Sequence, residues 1–237
     1  MFHFKQFDVE DDCSTMKVGT DAVVLGSLLE CDNPRSILDI GTGSGVIALI
    51  MAQRFPQAQV TAIDIDEPSV NQANQNFQCS VWGANMNALC CSIREFSNNA
   101  TSKFDLIVSN PPFFEQSLKG PVKSRNNARH TDSLSFEELL HSVNLLLADN
   151  GCFWCVLPYN AAKKIMMMAP SYSLFPGLVY AVSTKESASP KRAVFALQRK
   201  NPTPQGERFF YIRNAENEYS DMYRALTKDL YDTTVAN

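Results

Sequence analysis

The sequence has no apolar run long enough to cross a membrane, and its opening "MFHFKQFDVEDD" places acids where an export signal needs an uninterrupted apolar core. A soluble cytoplasmic protein without membrane association is expected. An excess of positive charge is also missing: 21 Lys and Arg against 25 Asp and Glu leave a formal net charge of −4. This excludes a surface coated for unspecific nucleic-acid binding, so any RNA footprint has to be local. Histidine is scarce, and His3, His130 and His141 show no metal-ligand spacing. Seven cysteines without an export signal imply reduced thiols rather than a disulfide framework. The one CxxC, Cys152 to Cys155, lies in "GCFWCVLP", a strand-like run in which residues three apart point to opposite faces. No metal site is expected. Repeats and low-complexity tracts are absent as well.

What is present is an alternation of strand-like and helix-like apolar periods. "TDAVVLGSLLE" (Thr20 to Glu30) reads as an N-capped helix, "SILDIG" (Ser36 to Gly41) as a strand, and "GVIALIMAQRF" as a helix that Pro56 closes off. "QVTAIDI" (Gln59 to Ile65) is a second strand. "EPSVNQANQNF" opens a helix with an acid and a proline in its first turn, where both are favoured. "MNALCCSI" reads as a weaker strand and "KFDLIVSN" (Lys103 to Asn110) as one buried on both faces. A polar segment from Pro111 to about Ser133 reads as a long loop. "SFEELLHSVNLLLADNG" then reads as an amphipathic helix with a glycine stop, and "CFWCVLP" as the next strand. "LVYAVS" and "RAVFALQ" suit a late antiparallel pair, and Met166 to Met168 fall on a helix, facing the core. The expected fold is α/β: a doubly wound, mostly parallel seven-stranded Rossmann-like sheet with an antiparallel C-terminal strand. One domain over residues 1–237, with an N-terminal extension of about 1–35, accounts for the chain.

Two motifs carry chemistry. "LDIGTGSG" places Gly41, Gly43 and Gly45 between a strand and a helix, with Asp39 two residues before the first glycine. Glycine lets the backbone turn sharply and a ligand approach closely. The spacing G-x-G-x-G, backed by an acid, suits a cationic amino-acid end better than a pyrophosphate, which favours S-adenosylmethionine over NAD. "AIDID" puts Asp64 at the end of the second strand, where a carboxylate can accept ribose hydroxyls.

The second motif is "SNPPFF". Asn110 and Pro111 each precede a proline and are confined to extended conformations, so the end of this strand is stiff. Asn110 offers a side-chain carbonyl, Pro111 a backbone carbonyl and Phe113 a flat apolar face. Two fixed acceptors can hold both hydrogens of a planar –NH₂ group and aim its lone pair at a sulfonium methyl. Lys119, Lys123, Arg125 and Arg129 follow in the polar loop and are candidates for contacting RNA phosphates.

These segments carry a resemblance. "DIGTGSG" with "NPPF" looks like the class I amino-methyltransferases. "FKQF", "MKVGTDAVVLGSLL", "SNPPFFEQ", "RHTDSLSFEELL" and "NEYSDMYRALTKDLY" are similar to the bacterial tRNA1(Val) adenine-37 N6-methyltransferases, which methylate the adenosine just 3′ of the anticodon. The resemblance implies S-adenosylmethionine as cofactor, tRNA as partner, no obligate protein partner, and Asn110, Pro111, Pro112 and Phe113 as the catalytic tetrad. It further implies that Asp39, Gly41, Gly43, Gly45 and Asp64 hold the cofactor, with Lys17, Gly19 and Thr20 bordering its pocket. One position departs from the family pattern: Ser92 stands where relatives commonly carry an acid for the adenine amino group. A protein-glutamine N5-methyltransferase, or another exocyclic-amine nucleic-acid methyltransferase, uses the same two acceptors. A NAD-linked oxidoreductase lacks its G-x-G-x-x-G spacing here, and a non-catalytic RNA-binding module gives no reason for a complete cofactor loop.

Overall fold

Runs such as Ser36–Ile40 and Phe104–Ser109, apolar with little polar interruption, can only be strands covered on both faces. The computed structural model describes residues 1–14, 17–111, 134–200, 202–203 and 206–231. A small hairpin pairs β1 (Phe2–His3) with β2 (Asp8–Val9), and α1 (Thr20–Leu28) follows. Strands and helices then alternate: β3 (Ser36–Ile40), α2 (Val46–Arg54), β4 (Gln59–Asp64), α3 (Glu67–Cys79), β5 (Met86–Cys90), α4 (Ile93–Asn99) and β6 (Phe104–Ser109). After them come α5 (Phe136–Leu146), β7 (Leu147–Pro158), α6 (Tyr159–Met168), β8 (Phe175–Lys185), β9 (Arg192–Gln198), β10 (Glu207–Arg213) and α7 (Asp221–Thr227).

The main sheet runs β10-β8-β9-β7-β6-β3-β4-β5, with β9 alone opposing its neighbours. Side chains alternate across it. Ile37, Leu106, Val108, Trp154 and Val156 join α1, α2 and α3 in one core, while Leu38, Ile107, Phe153 and Cys155 join α5 and α6 in the other. Cys152 and Cys155 therefore face opposite layers, and no cluster of metal-ligating side chains occurs among the described residues. No helix there is long and apolar enough to cross a membrane.

Four details differ from the sequence expectation. The sheet has eight strands rather than seven: β10 adds to the edge of β8, and its burial is confined largely to Phe210 while Phe209 points outward, so its apolar signal is weak. The glycine stop of α5 is not used. That helix ends before Leu147, where β7 begins, and Gly151 lies inside β7; a Cβ there would come within 2.9 Å of the backbone oxygens of Phe104 and Asp105. At α1 the cap position belongs to Gly19, without a side-chain bond, and Thr20 is the first helical residue. Of the three methionines on α6, Met166 and Met168 pack on the core but Met167 is exposed.

Candidate functional site

Parallel register brings three strand ends together. Ile40 pairs with Ile63 on one side and Ser109 on the other, so Gly41, Asp64 and Asn110 leave β3, β4 and β6 side by side at the carboxyl edge of the sheet. In a doubly wound sheet this edge is the ligand crevice.

The loop after β3 is built around positive-φ glycines, with Gly43 at 55° and Gly45 at 85°. At Gly45 a Cβ would also stand 2.5 Å from the ring of Phe77, which is buried on α3, so the loop lies tight against that helix. The loop's amides point inward. Gly41 and Thr42 donate to Ile63 O at 2.9 and 3.0 Å, Gly43 to Asp64 Oδ2 at 2.8 Å and Gly45 to Thr42 O at 2.9 Å. A pyrophosphate, which needs free N–H donors, would find these four engaged. What the loop offers is room: nothing stands within 4 Å of a Cβ position at Gly41.

Beneath the loop Asp39 is wholly buried. Thr42 Oγ1 donates to its Oδ2 at 2.7 Å, and its Oδ1 has no hydrogen-bond partner among the described residues. Burial pushes this carboxyl up to about 7; the Thr42 hydroxyl and the Ala48 amide oppose the shift, and the charge of Asp64 adds to it. A carboxylate in this position lacks a counter-ion among the described residues. It fits a cation arriving on the loop and does not fit a diphosphate.

Asp64 is half-buried, and both its oxygens accept backbone amides: Oδ2 from Gly43, Oδ1 from Asp66 at 3.0 Å. It is not a helix cap. That role falls to Asp66, whose Oδ2 accepts from Ser69 N at 3.0 Å at the start of α3. Each carboxylate oxygen of Asp64 has further acceptor capacity. Ile65 follows at once and is 65% exposed, an apolar face at the crevice.

A strap from the N-terminus covers the loop. Asn76 exchanges hydrogen bonds with the backbone of Glu10 and also donates to Ser44 O at 2.8 Å, while Gln72 holds Cys13 N and Asp12. Ser14, in the strap, is a buried hydroxyl without a hydrogen-bond partner among the described residues, 3.1 Å from a Cβ position at Gly43. Of the residues expected to border the pocket, Lys17 turns instead to Asp11, donating to its backbone oxygen at 2.6 Å. Gly19 caps α1, and Thr20 is exposed at the helix start. Ser92 is the cap of α4, accepting from Glu95 N at 3.1 Å.

Ser109 anchors the end of β6 by donating to Ile40 O at 2.8 Å. Asn110 is half-buried, with no hydrogen-bond partner for its side chain among the described residues, and Pro111 is buried. Pro112, Phe113, Lys119, Lys123, Arg125 and Arg129 lie outside the described residues. Sequence reasoning missed Ser14, Thr42 and Ile65. Thr42 was open to discovery as a hydroxyl three residues after the loop's acid, whereas Ser14 reaches the loop only through tertiary contacts with α3.

Comparison with known proteins identifies the family. The model of the methyltransferase small domain matches residues 14–168. A Bacteroides fragilis (strain YCH46) protein named tRNA1(Val) (adenine(37)-N6)-methyltransferase is 43% identical over 231 residues, covering 97% of both chains. A Flavobacterium psychrophilum protein of the same name is 37% identical, covering 98% of this chain and 99% of its own. Among solved structures, an Agrobacterium tumefaciens protein described as a predicted O-methyltransferase superposes with a TM-score of 0.68 at 15% identity, over 89% of this chain and 96% of its own. With that fold, an acid-backed glycine loop beside Asn110 and full-length similarity, the chain belongs to the methyltransferase small-domain family and, within it, to the tRNA1(Val) (adenine(37)-N6)-methyltransferases.

Proposed function

We propose that this protein transfers a methyl group from S-adenosylmethionine to N6 of an adenosine in tRNA, at position 37 of tRNA1(Val), in the cytoplasm and as one domain over residues 1–237. The observation that carries the reading is the placement of Asn110 and Pro111 beside a loop whose acid has no counter-ion among the described residues. When bound, S-adenosylmethionine would supply a methyl group on positive sulfur, an electrophilic carbon that a nitrogen lone pair attacks as the C–S bond breaks and the sulfur leaves as a neutral thioether.

The residues divide the work. Asp39 holds negative charge under the loop and favours the cofactor's cationic end in a site of low dielectric. Ser14, over Gly43, gives the cofactor's carboxylate a hydroxyl donor. Asp64 fixes the loop through Gly43 and turns its remaining lone pairs to the ribose hydroxyls, with Ile65 and the carboxyl edge of β5 lining the adenine side. Ser92, committed as an acceptor to its helix cap, keeps its O–H free to donate to an adenine nitrogen. The side-chain carbonyl of Asn110 and the backbone carbonyl of Pro111 accept the two hydrogens of the target amine. Their hold favours a pyramidal nitrogen with its lone pair toward the methyl, so orientation supplies most of the rate. The methylated nitrogen is acidic as a cation and releases its proton without a strong base. Phe113 stacks on the base once it has left its neighbours in the anticodon loop, where unstacking costs less than in a helix. Lys119, Lys123, Arg125 and Arg129 meet phosphates.

Nucleoside mass analysis tests the reading, with unmodified total tRNA and methyl-labelled cofactor. Labelled N6-methyladenosine in a fragment containing position 37 is expected. Label in protein glutamine, with none in tRNA, contradicts the substrate.

A further inference from the structure

We infer that a cationic cleft on the carboxyl edge of the sheet, beyond the cofactor loop, binds the phosphate backbone of the tRNA; this rests on the proposed function. The cleft has a volume of about 280 Å³, and its charged lining comprises Asp21, Lys191, Arg192 and Arg213. Register explains the gathering. Arg192 pairs with Pro158 on one side and Val182 on the other, and Arg213 pairs with Lys185. β9 enters where β7 and β8 leave, so the reversed strand delivers Lys191 and Arg192 to the same edge as Asn110.

Charge in the cleft lining is not balanced. Arg192 Nε lies 2.8 Å from Asp21 Oδ2, and that pair neutralises itself. Lys191 is exposed, with no carboxylate in ion-pair distance among the described residues. Arg213 is held in place without being neutralised: it donates to Asn217 O at 2.7 Å, and its guanidinium stands 4.6 Å over the ring of Tyr219. Lys185 adds a further exposed cation. Of the acids outside the lining, Glu218 faces Arg224 at 3.7 Å, while Glu186, Glu216 and Asp221 are exposed. In a chain of formal net charge −4, three cations against the one carboxylate of Asp21 in the cleft lining are a local surplus and complement a polyanion. Thr20 and Tyr219 add hydroxyls to the lining, suited to phosphate or sugar oxygens.

Distance fits the same occupant. Neighbouring strands lie about 4.8 Å apart, so the cleft, spanning β7 to β10, begins roughly 5 Å and ends roughly 20 Å from the strand that carries Asn110. A few nucleotides of a single-stranded loop cover that span. The flanking backbone reaches the cleft while the target base stands at Asn110.

The test compares wild type with Lys191→Ala/Arg213→Ala, with Lys191→Glu, whose exposed position leaves the core untouched, and with Lys200→Ala at the opposite edge of the sheet. tRNA binding is measured from 50 to 300 mM salt, and S-adenosylmethionine binding by calorimetry. The double variant is expected to lose about tenfold or more in tRNA affinity, with the slope of log K against log salt reduced by about 1.4 for two lost contacts. Lys191→Glu should lose affinity likewise, while cofactor affinity and the Lys200→Ala protein stay at wild-type values. Wild-type tRNA affinity and salt slope in both cleft variants overturn the inference. Wild-type protein that methylates no tRNA overturns instead the function on which it rests.

Discussion

Replacing Asp39 by asparagine should make the protein more stable and a worse cofactor binder at once. In the ligand-free protein burial moves the Asp39 carboxyl from an ordinary 3.8 to about 7. The native state therefore keeps a proton that the unfolded chain releases, and stability falls as pH rises from about 4 to above 7. The full shift corresponds to roughly 4 kcal/mol once the group is ionised. Asparagine removes that cost but keeps an oxygen for the Thr42 hydroxyl; its amide takes the place of the unpartnered Oδ1, and one buried unpaired donor costs about 1–3 kcal/mol. Urea unfolding at pH 8.5 should therefore find Asp39→Asn more stable by about 1–3 kcal/mol. At pH 5, where the wild-type group is already neutral, the gain should vanish or reverse. Calorimetry at pH 8.5 should show S-adenosylmethionine binding weakened by about 1.5–3 kcal/mol, the range for a contact to a charged group. Parallel stability-versus-pH curves for the two proteins, or equal cofactor affinity, would refute the assignment of an uncompensated charge under the loop.

Gly45→Ala should destabilise the protein by about 2–4 kcal/mol, because a Cβ must displace the buried ring of Phe77 and φ is positive; a denaturation midpoint at wild-type values would mean that the loop can move off α3. Asp64→Ala should weaken S-adenosylmethionine by about 1.5–3 kcal/mol and also release the Gly43 amide, which titration calorimetry and amide exchange of the loop can follow separately. Ser14→Ala should leave folding nearly unchanged, since it deletes an unpartnered hydroxyl, yet raise the Kd for the cofactor; an unchanged Kd removes Ser14 from the pocket.

The alternating periods around β3, β4 and β6 made the doubly wound core legible from sequence, because strands buried on both faces must be apolar at almost every position. β10 was not legible: its single well-buried residue, Phe210, gives no period, and its place depends on pairing with β8. The glycine loop was legible as a turn, but the reason it disfavours a diphosphate was not. Spacing alone cannot reveal that the amides of Gly41, Thr42, Gly43 and Gly45 are engaged inside the loop. Lys17 and Ser92 carry local roles that spacing does not show, a bond to the Asp11 backbone and a helix cap. The cationic cleft escaped the sequence because its residues come from α1, β7, β8, β9, β10, α7 and the segments between them, and only the reversed strand brings Lys191 and Arg192 to that edge.

The central claim is that Asn110 and Pro111 orient the adenine amine beside the cofactor, and single-turnover methylation of unmodified tRNA by wild type and Asn110→Ala tests it most directly. Wild type should form N6-methyladenosine, and Asn110→Ala should bind S-adenosylmethionine with unchanged affinity while forming product about 100-fold or more slowly, as expected when an orienting contact is lost. A rate within a few-fold of wild type in the variant, at equal cofactor occupancy, would contradict the account.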